Sequence, residues 1–448
     1  MSGPAEAARG DDEVPRATSA TPPEARGAGA AAGLRVAVVL STATGGTALH
    51  AGMLAEGCRR AGMAVRALGP AATRDAFAGA AASVPAPSAG PALPAIPPLI
   101  TARGGGVPSS AEPPSPDAGP GGGIPFCVVD ISDRPRPARD VRAVLRLRRL
   151  LRRAGPDVVH AHGLRAGALA ALAVAAGWPG GRPALVVTVH NAPPQGRAAG
   201  LVYGLLERAC AARADAVLCA SADLAARMRQ RGARRVAEFD VPAPAAPLPS
   251  AAAVRRARAD LGPAGRPVVL AVARLAGQKG LDVLLAAATR WQERAPVPLL
   301  AIAGEGPLAG ELAATARQTG VELALLGQRD DVPALLAAAD VVVVPSRWEA
   351  RALIVQEAMR AGRPVVATRV GGIPDLTGPG AALLVPPEDA AELAAAVAAV
   401  LDDAALAARL AAAAQARAAA LPGLGDAVTA VAAVYRDAAA RRRPRGSA

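Results

Sequence analysis

Aromatic residues, histidines and cysteines are all scarce in this 448-residue chain. The chain has 3 Phe, 3 Trp and 2 Tyr, which is little for stacking nucleic-acid bases, so nucleic-acid binding is the least favoured function. The cysteines are widely spaced and form no C-x-x-C pair, which argues against both a disulfide framework and a zinc knuckle. A reducing, cytoplasmic location fits best; the four residues are Cys58, Cys127, Cys210 and Cys219.

Long apolar runs and a recognisable N-terminal signal are also missing. The most apolar windows, residues 167–178 and 335–345, are too short to cross a bilayer. Segment 1–33 carries acidic residues among Pro, Gly and Ala and has no apolar core behind a basic start. The sequence therefore predicts a disordered N-terminal tail over 1–33 and no integral membrane segment.

Apolar residues and arginine are abundant. Hydrophobic residues make up 52% of the chain, which is ample for a globular protein of two or three domains. Lys and Arg number 50 against 37 Asp and Glu, giving a formal charge of +13. Such a charge suits phosphorylated ligands, nucleic acid or an anionic membrane surface, or belongs to a solvated arginine-rich surface, and charge alone does not choose among them.

Strands and helices alternate through the first half of the chain. Residues 34–40 (LRVAVVL) form a β-branched run that leads into a loop containing Gly45 and Gly46 and then a helix over 47–61. Residues 70–125 are rich in Pro, Gly, Ser and Ala without periodicity, which predicts a low-complexity insertion. Further strands are predicted at 125–130, 157–163, 184–190 and 214–221, with helices at 139–154 and 166–176.

A second series of strands and helices follows the Pro- and Ala-rich stretch 241–250. Two such series predict an α/β protein of two facing Rossmann-like, doubly wound domains with an interdomain cleft. We predict domains at 34–245 and 246–420, then a C-terminal helix and basic tail at 421–448. The strands of the second series are predicted at 267–273, 298–304, 321–327, 340–345 and 364–370.

Two groups of residues in the second half suggest a binding site. Arg274 and Lys279 directly follow a predicted strand and precede a helix that begins near Leu281. Two cations beside the amides of a helix terminus favour binding of a diphosphate without a metal ion. The alternative is that both residues are simply solvated in a polar loop. Glu349 lies in the loop after another strand and Glu357 in the helix that follows. One carboxylate can accept hydroxyl hydrogen bonds from a ribose while the other holds a hydroxylated substrate.

These residues lie in a run of motifs that resembles family 4 of the glycosyltransferases. The run extends from about Val268 to Glu388 and contains ARLAGQKG, GEGP, DDVPALLAAADVVVVPS, EAMRAGRPVVAT and VGGIPDL. Resemblance in the first half is weaker, through the Gly45-Gly46 loop, DVVHAHG and VVTVHN. The resemblance implies the GT-B fold.

The resemblance also implies a reaction and a set of site residues. The reaction is retaining transfer of a sugar from a nucleotide-diphosphate donor to an acceptor hydroxyl, with neither metal nor other cofactor. Arg274 and Lys279 would stabilise the departing diphosphate, and Glu357 would hold the ribose. Glu349 and the backbone that follows, with Leu353 and Ile354, would position the sugar. His190 would contact sugar or acceptor hydroxyls, and Gly45 and Gly46 would admit a close approach of the main chain.

The chain departs from the family pattern after the first glutamate. Members of that family commonly have a glycine after this glutamate and a proline or glycine close behind, whereas this chain has Ala350, Arg351 and Ala352. If that turn needs a positive φ, the alanine would be strained, and Arg351 could reach into the sugar site. The usual proline-asparagine-glycine turn before the second domain is also replaced by residues 238–242 (EFDVP).

Three other features are open to a plainer interpretation. His160 and His162 alternate on one strand and so face one side as a metal pair could, but packing in the cleft or core is favoured because no third ligand is evident. The arginine-rich helix could contact an anionic membrane or a phosphorylated acceptor, or be a solvated face; its arginines are Arg142, Arg146, Arg148, Arg149, Arg152 and Arg153. The same alternatives apply to the terminal Arg441–Arg443 and Arg445, for which a disordered basic tail is favoured.

Two alternative functions remain open from the sequence. A nucleotide-sugar epimerase also uses Rossmann-like domains, although the cleft offers few acid or base side chains besides His190. A non-catalytic sugar-nucleotide-binding protein is suggested by the altered loop after Glu349. The sequence leaves the sugar, the base, the acceptor and the oligomeric state undetermined.

Overall fold

The computed structural model describes residues 33–41, 46–78, 123–132, 134–175, 177–178, 181–192, 197–245, 247–262 and 265–442. The predicted tail up to residue 32, residues 79–122 of the predicted insertion, Gly45 and the last six residues lie outside them.

The first half of the chain forms a seven-stranded sheet in which every neighbouring pair is parallel, in the order β3-β2-β1-β4-β5-β6-β7. β1, β4, β5 and β6 match predicted strands and are almost wholly buried, as expected for apolar strands covered on both faces. The strands are β1 (Arg35–Leu40), β2 (Ala64–Gly69), β3 (Phe126–Val128), β4 (Val158–His162), β5 (Ala184–Val189), β6 (Ala216–Cys219) and β7 (Val236–Glu238).

Helices connect these strands. Two short elements, a 3₁₀ turn at Ala71–Thr73 and α2, occupy the start of the stretch predicted as a structureless insertion. Phe77 of α2 is buried in the core, so residues 70–78 belong to the fold. The helices are α1 (Gly46–Arg60), α2 (Arg74–Ala78), α3 (Pro137–Ala154), α4 (Leu164–Ala173), α5 (Arg197–Arg213) and α6 (Ala222–Gln230).

The second half forms a six-stranded parallel sheet in the order β10-β9-β8-β11-β12-β13. Its strands are β8 (Val268–Val272), β9 (Leu299–Ala303), β10 (Leu323–Leu325), β11 (Val341–Val344), β12 (Val365–Thr368) and β13 (Leu383–Val385). Its helices are α7 (Ala251–Asp260), α8 (Leu281–Ala288), α9 (Ala309–Thr319), α10 (Val332–Ala338), α11 (Leu353–Arg360), α12 (Ile373–Thr377), α13 (Ala390–Asp402) and α14 (Ala404–Ala420), with 3₁₀ turns at Gly277–Lys279 and Thr289–Trp291. The prediction of two Rossmann-like, doubly wound α/β domains is confirmed.

Each sheet has a point where the strand order reverses. In the first sheet it lies between β1 and β4, and in the second between β8 and β11. Loops that leave the carboxyl ends of such neighbouring strands run to opposite faces and open a crevice between them. The two crevices face each other, because a β-carbon on Gly46 after β1 would lie 3.2 Å from Leu353 Cδ1 after β11, and one on Gly372 after β12 would lie 3.3 Å from Ser221 Cβ after β6.

The last helix, α15 (Leu424–Ala440), returns to the first domain. Its buried residues Val431 and Tyr435 belong to the hydrophobic core of the first domain. The helix packs closely on α1, because a β-carbon on Gly57 of α1 would lie only 2.4 Å from Val428 Cγ2. The stretch Ala404–Ala440 is long and apolar enough to cross a membrane by length and composition alone. It consists of two helices, α14 on the second domain and α15 on the first.

Candidate functional site

The predicted phosphate-binding residues lie at the reversal point of the second sheet. β8 leads into the loop that carries Arg274, and its neighbour β11 leads into the loop that carries Glu349. Gly304 after β9 has φ 135°, and a β-carbon there would lie 2.0 Å from the carbonyl oxygen of Ala273. The GEGP motif therefore lets a third loop pack directly on the backbone beside Arg274. The Arg274 side chain is exposed and, among the described residues, makes no hydrogen bond or ion pair.

Lys279 and Glu349, predicted separately from the sequence, form one ion pair. The Lys279 ammonium contacts Glu349 Oε1, and the Ser346 hydroxyl donates to the same oxygen over 2.9 Å. Glu349 is 8% exposed, so its charge lies in a largely dry site that the lysine neutralises. The pair places a cation and a buried anion side by side, and the exposed Arg274 adds a second positive charge to the same loop.

Glu357 lies on α11, as predicted, with its carboxyl group half-buried. It has no hydrogen-bond partner among the described side chains and backbone groups. Burial raises the pKa of Glu357 to about 7, and the nearby Arg360 opposes that rise. An unpartnered, largely desolvated carboxyl group gains most from ligand hydroxyls that donate hydrogen bonds to it.

The altered turn after Glu349 is not strained. Within the described chain the one non-glycine residue with a positive φ is Glu388, so Ala350 adopts an ordinary backbone conformation. The left-handed position is instead Gly371 (φ 50°), where a β-carbon would lie 1.8 Å from the Glu349 carbonyl oxygen. The Arg351 side chain forms an ion pair with Asp240 of the interdomain connection. Arg351 thus fastens the loop to the connection, and its guanidinium is held by that carboxylate.

His190 belongs to a cluster that contains every histidine of the chain. His190 Nε2 lies 3.1 Å from His162 Nδ1, and the His50 ring meets both at an edge, with its centroid 5.5 Å from that of His190. His160 bonds Tyr435 and Thr188 through its two ring nitrogens, each over 2.6 Å. Neither nitrogen of His160 is therefore available to a metal, which supports the packing interpretation of the predicted pair.

Burial keeps these histidines neutral. Desolvation lowers the pKa of His190 to about 4 and that of His160 to about 3, and it lowers the pKa values of His50 and His162 well below the ordinary range. His190 is 7% exposed at the carboxyl end of β5, whereas both nitrogens of His50 are sealed without a partner among the described residues. At neutral pH His190 can therefore exchange hydrogen bonds with a hydroxyl but carries no charge.

Among the remaining predicted residues, Gly46 and Leu353 lie where the domains meet. A β-carbon on Gly46 would lie 3.2 Å from Leu353 Cδ1, so Leu353 reaches across to the first domain. Ile354 packs against the core of the second domain. Gly45 lies outside the described residues.

Several residues at the site escape the sequence prediction. Trp348 Nε1 donates to Asp223 Oδ2 across the domains over 2.9 Å, and Arg347 binds two carboxylates beside Lys279. His50 joins the histidine cluster from α1. Its position four residues after Gly46, in the first turns of a helix that follows a glycine loop, is the signal that could have located it.

Comparison with known families agrees with this geometry. Residues 45–239 match the model described as glycosyl transferase 4-like domain, and residues 255–417 match that of glycosyl transferases group 1. The boundary between the two matches falls in the connection that Arg351 contacts through Asp240.

Curated relatives resemble parts of the chain. A 2-deoxystreptamine N-acetyl-D-glucosaminyltransferase of Streptomyces fradiae is 38% identical over 29% of this chain and 33% of its own length. A glycogen synthase of Mycobacterium tuberculosis is 37% identical over 57% of this chain and 63% of its own length. The matched segments therefore span between about one-third and two-thirds of these relatives.

Solved structures share the fold over nearly the whole chain. HepE of Anabaena in complex with UDP-glucose superposes with a TM-score of 0.70 at 20% identity, covering 90% of this chain and 100% of HepE. Sucrose-phosphate synthase of Thermosynechococcus elongatus gives a TM-score of 0.70 at 21% identity, covering 91% of this chain and all of that one. Both domains match glycosyltransferase family models in order, and the predicted motifs lie at the reversal point of the second sheet. The chain therefore belongs to the family 4 type of glycosyltransferases, with the GT-B fold.

Proposed function

We propose that this protein is a metal-independent, retaining glycosyltransferase that moves a sugar from a nucleotide-diphosphate donor to an acceptor hydroxyl. The observation that carries the proposal is the convergence of Arg274, Lys279 and Glu349 on one side of the reversal point between β8 and β11. Relatives support the donor class, since one is named as GDP-mannose-dependent and HepE was solved with UDP-glucose.

The two cations act on the leaving group. As the bond between the anomeric carbon and the diphosphate oxygen breaks, negative charge grows on the diphosphate. Lys279 can turn from Glu349 towards this charge, and Arg274 is already free to do so. Each charge-assisted contact would contribute about 1.5–3 kcal/mol, so the cations can take the role that a divalent metal has in other transferases.

The carboxylates and His190 act on the sugars. Glu357 accepts hydrogen bonds from the ribose, and Glu349 with the backbone after it positions the transferred sugar. In the retaining reaction the acceptor oxygen bonds to the anomeric carbon on the face that the diphosphate leaves, and the acceptor proton passes to the diphosphate oxygen. Neutral His190 exchanges a hydrogen bond with a hydroxyl at the carboxyl end of β5 and needs no change of charge.

The test is transfer by purified protein over a panel of nucleotide sugars and acceptors, with product configuration read by NMR. The Arg274→Ala, Lys279→Ala double variant should lose transfer, while Arg329→Ala, which breaks partly exposed ion pairs with Asp331 and Asp260, should retain it. Normal turnover in the double variant would refute the proposal. Epimerised donor without acceptor, or tight nucleotide binding without any product, would favour the two alternative functions.

We further propose a cytoplasmic location with peripheral contact to an anionic membrane through α3. Val141 and Leu145 are 60% and 62% exposed on this helix, next to the exposed Arg142 and Arg149. Other arginines of α3 bind local carbonyl groups, Arg146 that of Val128 and Arg148 that of Ala173, so only part of the charge is available. Co-sedimentation with phosphatidylglycerol vesicles that Val141→Ser, Leu145→Ser abolishes would support the contact, and equal sedimentation of the variant would refute it.

A further inference from the structure

Arg347, which no sequence motif marks as a site residue, uses all five of its N–H groups. Nη1 donates to Asp282 Oδ1 over 2.9 Å and to the carbonyl oxygen of Gly277. Nη2 donates to Asp282 Oδ2 over 2.7 Å and to Glu388 Oε2 over 3.1 Å, and Nε donates to Glu388 Oε1. A planar guanidinium saturated in this way fixes the relative positions of three separate segments.

Those contacts enclose the residues on either side of Lys279. Gly277 begins the 3₁₀ turn that ends at Lys279, and Asp282 lies in the first turn of α8. The backbone N–H of Arg347 donates to the Gln278 carbonyl, and Gln278 Nε2 donates to the Trp348 carbonyl, each over 2.8 Å. Residues on both sides of Lys279 in the segment 277–282 are therefore hydrogen-bonded to the loop that carries Glu349.

Glu388 reaches Arg347 from a backbone conformation that glutamate rarely adopts. Its φ of 63° makes it the single non-glycine residue in the left-handed region of the described chain. Backbone strain of this kind persists where the surrounding contacts determine the conformation, and it concentrates at functional sites. Asp282 is also bound to Arg347, and its hydrogen bonds to the guanidinium lower the pKa of its carboxyl group.

We infer that Arg347 is a positioning residue for the diphosphate-binding loop. It does not touch the donor in the proposed function, on which this inference rests. Its bonds to Asp282, Gly277 and Glu388 hold the 277–282 segment against the 346–349 loop, so that Lys279 and the backbone beside it are placed before the diphosphate arrives. Without Arg347 the segment must be ordered at the moment of binding, which weakens binding of the diphosphate specifically.

The test compares nucleotides with nucleosides by calorimetry in the full chain. Arg347→Gln should lower affinity for whichever of UDP or GDP binds the wild type by about 10- to 100-fold, and leave affinity for the matching nucleoside within about twofold. Arg294→Gln is the matched control, because Arg294 makes a similar bidentate pair with Asp402 on the same domain. It should change neither affinity.

Glu388→Gly separates positioning from general stability. Glycine removes the carboxylate and also the left-handed backbone strain, so we expect an unchanged or higher Tm together with weaker diphosphate binding. Unchanged UDP or GDP affinity in Arg347→Gln, or equal losses for nucleotide and nucleoside, would overturn the inference. Failure of the wild type to bind any nucleotide would instead refute the proposed function.

Discussion

The raised pKa of Glu357 gives a test in which affinity and stability move in opposite directions. Burial raises its pKa to about 7 in the ligand-free protein, from an ordinary value of 4.5. If its carboxylate accepts hydroxyl hydrogen bonds from the ribose, the ligand prefers the ionised form. About one-tenth of the protein is ionised at pH 6 and about nine-tenths at pH 8, so nucleotide affinity should fall roughly tenfold between pH 8 and pH 6.

The substitution Glu357→Gln should remove this pH dependence. We expect its nucleotide affinity to be weaker than that of the wild type at pH 8 and nearly constant from pH 6 to pH 8. Isothermal titration calorimetry at several pH values measures both effects. Glu311→Gln, which changes an exposed glutamate of α9, is the control and should keep the profile of the wild type.

Stability should respond with the opposite sign. Because the folded pKa of Glu357 lies above the unfolded one, the native protein binds more protons between pH 4.5 and pH 7, and its free energy of unfolding falls as pH rises through that window. At about 1.4 kcal/mol for each unit, ionised Glu357 costs on the order of 3 kcal/mol at pH 8. Glu357→Gln should therefore unfold at a higher urea concentration than the wild type at pH 8. A variant that loses both affinity and stability, or keeps the pH dependence of binding, would refute the reasoning.

Two further predictions concern the loop after Glu349 and the histidine cluster. Ala350→Gly should destabilise the protein by about 0.5–1 kcal/mol, because Ala350 does not have a positive φ and glycine only adds conformational freedom to the unfolded chain. A higher Tm for this variant would contradict the prediction. In a Glu357→Gln background, the free energy of unfolding should fall as pH drops below 6.5, because burial lowers the pKa of His190 to about 4 and that of His160 to about 3, so both stay neutral in the folded protein at pH values where they are protonated when unfolded. For each of these two histidines the loss is about 2 kcal/mol at pH 5, and equal urea midpoints at pH 7 and pH 5 would contradict the prediction.

The sequence predicts the long, strongly patterned elements well and the short ones poorly. β11 is an unbroken run of four valines and β1 is rich in valine, and both strands are buried on both faces, so hydrophobicity alone marks them. β2 escapes prediction although it adjoins β1, because Ala64–Gly69 includes an arginine and two alanines and has no clear period. α2 escapes for a similar reason, since five residues are too few to show helical spacing.

In the candidate site, the sequence predicts individual residues but not the contacts between them. Arg274, Lys279 and Glu349 could be selected because each follows a recognisable strand, and parallel strands bring their carboxyl ends to one edge. The bond from Lys279 to Glu349 could not be predicted, because the two residues are 70 positions apart and meet only through the pairing of β8 with β11. The same applies to Arg347, whose two carboxylate partners come from separate parts of the chain: Asp282 from the first turn of α8, and Glu388 from the loop before α13.

Local sequence thus determined which segments become buried strands, which loops carry charge and which family the motifs resemble, because burial pattern and loop composition depend on neighbours along the chain. Tertiary structure alone decided that the last helix returns to cover His160, that all four histidines share one buried cluster, and that Arg351 pairs with Asp240. Each of these three arrangements joins residues more than 100 positions apart, and no local pattern encodes such a meeting. They depend on the order in which the strands assemble and on how the two domains face each other.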